Sequence, residues 1–252
     1  MRPSQAHSAA LSLRSLCERF GPHPVRALRL QPLFANDIHL WLWFVASSIG
    51  SRRTPRAVVE KTVTTLRDSG RAQPAALAGE SPQALAEVLH RCGAHRPEEA
   101  APRLLRAART LMERADGSLS TLARGAEDLD DLARRLLKLA PGIGPRSILR
   151  FLRPLRDAWP TAREVPLSED ARAAAVHLGF LRAHEDLEGE PAALRALWLR
   201  EENALNGSDE EAALDFADVE AALEQLGAAA CRREQPERCL LREACPLRSR
   251  AQ

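Results

Sequence analysis

Residues 136–147, LLKLAPGIGPRS, are the most specific local signal in this sequence. An apolar helix pattern runs into the turn Pro141-Gly142-Ile143-Gly144, and a second helix pattern begins immediately after it. Glycine allows such a turn to be tight and lets the backbone approach a ligand closely. Amides at the start of a helix bind phosphate well. Arg146 and Arg150 are placed to reinforce that contact, so the stretch predicts a phosphate-binding turn.

Helical periodicity recurs along the rest of the chain, and no convincing strand of period two is found. The 252 residues are 45% hydrophobic and 28% charged, which excludes a disordered chain and indicates an ordinary globular protein. About ten helices with short connections are predicted, so the fold class is all-α. Asp37 and Ser168 are expected to cap two of them. The predicted helices span residues 9–20, 38–48, 55–66, 81–92, 97–114, 129–139, 146–155, 169–178, 191–204 and 216–226.

The charge distribution favours a local contact with a polyanion over a general one. The 36 basic and 34 acidic side chains leave a net charge of +2, and only Lys61 and Lys138 are lysines. Residues 146–163 contain five arginines against Asp157 alone, which suits a polyanion. A solvated helix face held by ion pairs is the alternative. The longest apolar run, residues 38–50, is too short to cross a bilayer, and no signal peptide is evident, so a cytoplasmic location is expected.

Three of the five cysteines, Cys231, Cys239 and Cys245, lie within the last 22 residues. Disulfides are not expected in a reducing cytoplasm. A cluster of this kind is typical of metal ligation or redox chemistry.

These motifs occur in an order that resembles the endonuclease III-like superfamily of helix-hairpin-helix DNA glycosylases. The turn quoted above, within residues 132–155, resembles the family's hairpin. Residues 40–66 resemble its early apolar helix, polar loop and next helix, and residues 81–117 its two helices before the hairpin. The cysteine loop, residues 231–245, resembles the family's iron–sulfur loop, including Gly227 before it. The resemblance covers residues 10–246.

The resemblance implies a two-lobed fold with the substrate cleft between the lobes. Residues 37–156 would form the helical barrel lobe that carries the hairpin. Residues 1–36 would pack with a C-terminal lobe, residues 157–252, that holds the cysteine loop. The protein is then expected to be a nucleoid-associated monomer that binds damaged or abasic double-stranded DNA.

The resemblance also implies the DNA-contacting residues. In the family, the loop that is Ser51-Arg52-Arg53-Thr54 here enters the DNA near the lesion. Phe34, Trp41 and Trp159 are conceivable flat partners for a flipped base. The residues expected to bind DNA are Arg52, Arg53, Pro141, Gly142, Ile143, Gly144, Arg146, Ser147 and Arg150.

Two departures from the family pattern bear on catalysis. Arg146 stands where bifunctional members carry the lysine that forms a Schiff base, and arginine stays protonated and cannot act as that nucleophile. An active protein is therefore expected to be monofunctional, removing a base by hydrolysis of the N-glycosidic bond. The family's catalytic aspartate falls near Ser168, so Asp170 and Glu164 are alternative carboxylates. Loss of the carboxylate would leave an inactive DNA-binding paralogue, which is the alternative function.

The cysteine loop departs from the pattern as well. The family spacing is Cys-x6-Cys-x2-Cys-x5-Cys, whereas this chain reads Cys231-x7-Cys239-x5-Cys245. A [4Fe–4S] cluster usually takes four thiolates, so Cys17 on the first helix is a candidate fourth ligand. The other interpretations are a three-cysteine cluster with another fourth ligand or an open iron, and a loop held by packing without metal.

Overall fold

The computed structural model describes residues 12–31, 33, 36–51, 54–182, 189–205, 214–233, 239 and 241. These residues form thirteen α-helices and contain no β-strand, which confirms the all-α prediction. The chain divides into two compact units. The hairpin unit is Pro24–Val165, and the terminal unit combines Met1–His23 with Pro166–Gln252. The boundaries between the two units therefore lie after residues 23 and 165. The sequence analysis placed them after residues 36 and 156.

The helices are numbered α1 to α13 in chain order. The hairpin unit contains α2 (Pro24–Ala27), α3 (Asp37–Ile49), α4 (Arg56–Asp68), α5 (Pro74–Ala78), α6 (Pro82–Cys92), α7 (Pro97–Ala115), α8 (Leu119–Arg124), α9 (Leu129–Leu137) and α10 (Pro145–Leu152). The terminal unit contains α1 (Leu13–Phe20), α11 (Glu169–His177), α12 (Glu190–Leu205) and α13 (Phe216–Ala229). No helix in the described ranges combines the length and the apolar content needed to cross a bilayer.

The start of α3 differs from the prediction. Asn36 is the N-cap, and its Oδ1 accepts from the Ile38 amide at 2.8 Å. Asp37, the expected cap, instead accepts hydrogen bonds from the Ser118 hydroxyl at 2.8 Å and the Ser120 amide at 3.0 Å. The prediction that Asp37 caps α3 is thus wrong, because its carboxylate serves the first turn of α8. Ser168 does cap α11, as predicted, since its Oγ accepts from the Ala171 amide at 3.1 Å.

The core of the hairpin unit joins α3 to α10 through a series of aromatic rings. Trp41 stacks on Phe44, Phe44 meets Phe151 edge-on at 5.5 Å between centroids, and Phe151 meets Trp159 at 5.8 Å. The Trp43 indole also donates to the Phe151 carbonyl at 3.0 Å. Trp41 is fully buried and Trp159 is 9% exposed, so both rings are core residues as placed here. Phe34 lies outside the described residues.

The terminal unit has its own core, in which α13 crosses α11 so closely that the backbones of the two helices are in contact. A Cβ built on Gly227 would lie 1.8 Å from the Asp170 carbonyl oxygen, far inside any real contact. Only glycine therefore permits this crossing. Cys17, Cys231 and Cys239 are buried in the same core.

Candidate nucleic-acid interface

The predicted helix-hairpin-helix is present as α9, the turn at residues 138–144, and α10. Gly142 has φ +88°, a left-handed conformation that side chains with a Cβ rarely adopt. The apolar residues of the motif face the core of the hairpin unit, which fixes the turn on its surface. These buried residues are Leu136, Leu139, Ala140, Ile143 and Ile148.

The opposite face of the turn is open to solvent. Pro141, Gly142, Pro145 and Arg146 are exposed. Gly144 is the N-cap of α10, which has no side-chain cap. Neither the Gly142 nor the Gly144 amide donates to an acceptor among the described residues. A helix start without a cap leaves amides unsatisfied and carries the positive end of the helix dipole, so it suits an anion.

Space for that anion exists at Gly144. A Cβ built there meets nothing within 4 Å, and the residue has no positive φ. The glycine is therefore not required by packing within the described part of the protein. Its absence of a side chain lets another molecule approach the backbone closely.

Arg103 on α7 braces the hairpin turn through hydrogen bonds, a contact that the sequence analysis did not predict. Its Nε donates to the Glu99 carbonyl at 2.8 Å and its Nη1 to the Gly142 carbonyl at 3.1 Å. The guanidinium thus ties the hairpin turn to α7. No local sequence motif predicts this contact, because Arg103 and Gly142 are 39 positions apart.

The arginines of the basic stretch divide into two groups. Arg146 is exposed in the first turn of α10, as a phosphate contact requires. The Arg150 guanidinium donates to the carbonyl of Gly50 and, at 3.3 Å, to that of Ser47. Arg156 is 5% exposed and donates to the Val165 carbonyl at 2.7 Å. Arg150 and Arg156 therefore stabilise backbone carbonyls of their own unit.

The expected DNA-entering loop is described only at its ends. Arg52 and Arg53 lie outside the described residues. Ser51 and Thr54 flank them, and their hydroxyls are 2.8 Å apart, while the Thr54 amide donates to the Ser51 carbonyl at 3.1 Å. Their contribution to DNA binding stays a prediction.

The two candidate carboxylates have opposite environments. Glu164, in the hairpin unit, is exposed. Asp170, in the terminal unit, is 4% exposed, and its Oδ1 lies 3.4 Å from Arg232 Nη1, which also pairs with Glu169 at 2.6 Å. Only Glu164 is openly accessible to a substrate as placed here. Asp170 is built into the packing of its own unit.

A third carboxylate, Glu220 on α13, lies at the start of α11. It is 3% exposed, and its Oε1 accepts from the Ser168 amide at 3.3 Å. The sequence analysis did not single it out, because 52 residues separate it from Ser168. A buried acid that accepts from the first amides of a helix stabilises that helix start.

The cysteines of the described residues do not form a complete ligand set. Cys17, Cys231 and Cys239 are buried, but no three metal-binding side chains come together in the described ranges, and Cys245 lies outside them. Burial raises the pKa of the Cys17 thiol to about 12, with Asp218, Asp215 and Glu201 adding to the effect. Cys17 is therefore a protonated thiol at neutral pH in the surroundings described here. These residues alone do not fit a [4Fe–4S] cluster.

No protein-family model matches this chain, and no curated protein sequence matches it either. Among solved structures, the chain is similar to the crystal structure of H. pylori 3-methyladenine DNA glycosylase (MagIII) bound to 1,N6-ethenoadenine. The identity is 16%, the TM-score is 0.45, and the match covers 86% of this chain and 95% of that chain.

Proposed function

We propose that this protein binds double-stranded DNA through the hairpin, with a preference for damaged or abasic sites. The main support for this proposal is the start of α10, which has no side-chain cap. The Gly142 and Gly144 amides donate to no acceptor among the described residues, and a Cβ built on Gly144 would meet nothing within 4 Å. Two such amides beside the exposed Arg146 form a site for a backbone phosphate. The motif resemblance noted above supports the preference for damaged sites.

Binding of this kind has a defined salt dependence. Each phosphate neutralised by a cation releases counterions, so the logarithm of the association constant falls by about 0.9 per tenfold rise in salt for each contact. Hairpin amides contribute hydrogen bonds without adding a full charge. The protein's near-neutral net charge of +2 therefore predicts a shallow salt slope that a few arginines such as Arg146 determine.

The test is fluorescence anisotropy with one duplex that carries a stable abasic analogue and the same duplex intact, over a salt series. Gly144→Leu should weaken binding to both, because the side chain enters the open space that a phosphate would occupy. Gly79→Leu is the matched control, since Gly79 is exposed, has an ordinary φ, and its built Cβ meets only one atom, at 3.9 Å. Equal affinity of wild type and Gly144→Leu, with both variants folded, would refute the hairpin site.

Base excision by hydrolysis is the proposed reaction. The bond between base and sugar would break, the base would leave with the bonding electrons, and water would add to the sugar with loss of a proton. A carboxylate stabilises the developing positive charge or accepts the proton from water. Glu164 is the better candidate of the two because it is exposed and lies in the same unit as the hairpin. Arg146 excludes a lysine-type lyase step at that position.

The reaction is tested by base release from a panel of damaged duplexes, with Glu164→Gln and Asp170→Asn measured in parallel. We expect Glu164→Gln to abolish release while DNA affinity is kept. We expect Asp170→Asn to lower the melting temperature, because it weakens the interaction of the buried Asp170 carboxylate with Arg232. Release that survives both changes would show that neither carboxylate is the catalyst.

A DNA-binding protein without excision activity is the second candidate function. The burial of Asp170 in an ion pair favours it, since a carboxylate held in this way is not available to a sugar. Abasic-site binding by the wild type with no base release from any damaged duplex would establish this alternative.

A further inference from the structure

Arg156 is the most deeply buried arginine of the basic stretch, and it belongs to the hairpin unit. It is 5% exposed, and its Nε donates to the Val165 carbonyl at 2.7 Å. Its Nη1 donates to the Arg153 carbonyl at 3.4 Å. Burying a charged guanidinium costs free energy unless its donors are used. An apolar side chain could fill the same space without that cost, so the arginine contributes hydrogen bonds to backbone carbonyls in addition to packing.

The carbonyl that Arg156 holds belongs to the residue directly after Glu164, the exposed carboxylate proposed above as the catalyst. Val165 is fully buried, and its amide donates to the Ala162 carbonyl at 3.0 Å. Ala162 is fully buried as well, and its amide donates to the Trp159 carbonyl at 2.8 Å. Both backbone polar groups of Val165 are thus paired within the hairpin unit, and Glu164 is exposed directly beside this fixed residue.

A carboxylate that stabilises charge or accepts a proton acts only at a defined distance from the reacting atoms. Glutamate has a flexible side chain, so its placement depends on a backbone that neighbouring residues hold still. The hydrogen bond from Arg156 to Val165 provides such support next to Glu164. Without it, the buried Val165 carbonyl would lose a donor, which favours a shift of the segment that carries Glu164.

We propose that Arg156 is a positioning residue for base excision, because it fixes the backbone at Val165 and thereby the placement of the Glu164 carboxylate against the sugar. The inference rests on the proposed function, and specifically on Glu164 as the catalyst. The guanidinium of Arg156 is buried and is therefore not available to a phosphate. Its loss should accordingly change the rate of the chemical step and leave the affinity for DNA unchanged.

The test measures single-turnover base release and the Kd on one duplex, the member of the damaged panel from which the wild type releases a base fastest. For Arg156→Met we expect the rate constant to fall about tenfold with an unchanged Kd, since a misplacement of about 1 Å can cost 100-fold. Arg156→Lys keeps the charge and one donor, so its loss should be smaller, and it carries the test if Arg156→Met does not fold. An unchanged rate constant in a folded Arg156 variant would overturn the proposal.

Arg109→Met is the matched control in the same unit. Arg109 is exposed on α7, and its guanidinium also donates to two backbone carbonyls, that of Ala78 at 2.9 Å and that of Glu80 at 3.2 Å. Its loss should leave the rate constant and the Kd unchanged, because neither carbonyl adjoins Glu164. An equal fall in the rate constant of Arg109→Met would indicate general loosening of the unit and overturn the specific role of Arg156.

A double-mutant cycle separates action through Glu164 from any other effect of Arg156. Glu164→Asp keeps the carboxylate but withdraws it by one methylene, so base release should slow without being lost. Adding Arg156→Met should then cost clearly less than it does in the wild-type background, because the carboxylate is already misplaced. Fully additive losses would overturn the proposal that Arg156 acts through Glu164.

Hydrogen exchange measures the support of the segment without DNA. In Arg156→Met the Val165 and Ala162 amides should exchange faster, whereas the Gly93 amide, which bonds to the His90 carbonyl at 2.8 Å, should be unchanged. Unchanged exchange at Val165 would overturn the proposal even in an active protein. A wild-type protein that releases no base would remove the proposed reaction and with it the catalytic role of Arg156, and faster exchange would then identify a purely structural contact.

Discussion

Replacing Gly227 by alanine adds one methyl group where α13 crosses α11. The built Cβ lies 1.8 Å from the Asp170 carbonyl oxygen, 2.4 Å from its carbonyl carbon and 2.9 Å from its Cα. All three atoms are backbone, so no side-chain rotation can relieve the contact. Ordinary contact begins at 3.4 Å, and the oxygen must therefore retreat by about 1.6 Å, the difference between the two distances.

The free energy of unfolding should fall by about 2 kcal/mol or more. Overpacking in a core costs about 3 kcal/mol at the upper end of its usual range, and the backbone contact places this site there. Alanine recovers about 1 kcal/mol because it favours the helix more than glycine does. In a chain of this size the net loss corresponds to a decrease in Tm of roughly 4–8 °C.

Thermal unfolding followed by circular dichroism measures this effect, with urea unfolding as a second measurement. Gly144→Ala is the matched control, because a Cβ at Gly144 meets nothing within 4 Å. Its Tm should stay within about 2 °C of the wild-type value, as for an uncrowded surface change. A Gly227→Ala protein that melts within the same margin would refute the close crossing of α11 and α13.

Three further predictions concern the brace, the buried thiol and the cysteine loop. Arg103→Met should lower the free energy of unfolding by about 1 kcal/mol, because the Gly142 carbonyl loses its donor; an unchanged urea midpoint would contradict the brace. Because burial raises the pKa of Cys17 to about 12, iodoacetamide should not alkylate it in the native protein at pH 8. Peptide-level mass spectrometry of the alkylated native protein checks this expectation. The contribution of the protonated thiol to stability is complete below its unfolded pKa near 8.5 and is lost as the pH rises through about 12. Cys17→Ala should therefore reduce the loss of stability between pH 9 and pH 11. If the cysteine loop holds a cluster, iron and acid-labile sulfide in protein purified without oxygen should decrease in Cys239→Ser; wild-type protein free of both would leave packing without metal as the interpretation of the loop.

Much of the local structure could be predicted from residue patterns. The helix before the hairpin, the glycine at the left-handed position 142 and the cap at Ser168 all follow from periodicity and from conformational preferences of single residues. The cap at Asp37 was misassigned because Asn36 beside it is an equally good capping residue. The choice between them depends on Ser118, which is 81 residues away from Asp37.

The candidate site was predictable in part for the same reason. The turn and the exposed Arg146 belong to one short segment, so the sequence contains them together. The assignments of Arg150 and Asp170 could not be made in this way, because an arginine on a helix and a carboxylate in a first helical turn fit several environments. Their partners are Gly50 and Arg232, which lie 100 and 62 residues away from them.

Ten of the thirteen helices in the described residues and the glycine turn could be predicted from the sequence, because these depend on residues within a few positions of one another, whereas the short helices α2, α5 and α8 were not predicted. The contacts that polar side chains make with distant segments were decided by the tertiary structure. Arg103 supports the hairpin from α7, Arg150 holds the end of α3, and Gly227 admits the Asp170 backbone. The physical reason is that a hydrogen bond or a steric contact depends on distances of a few ångströms, and between distant segments only the packed core sets such distances.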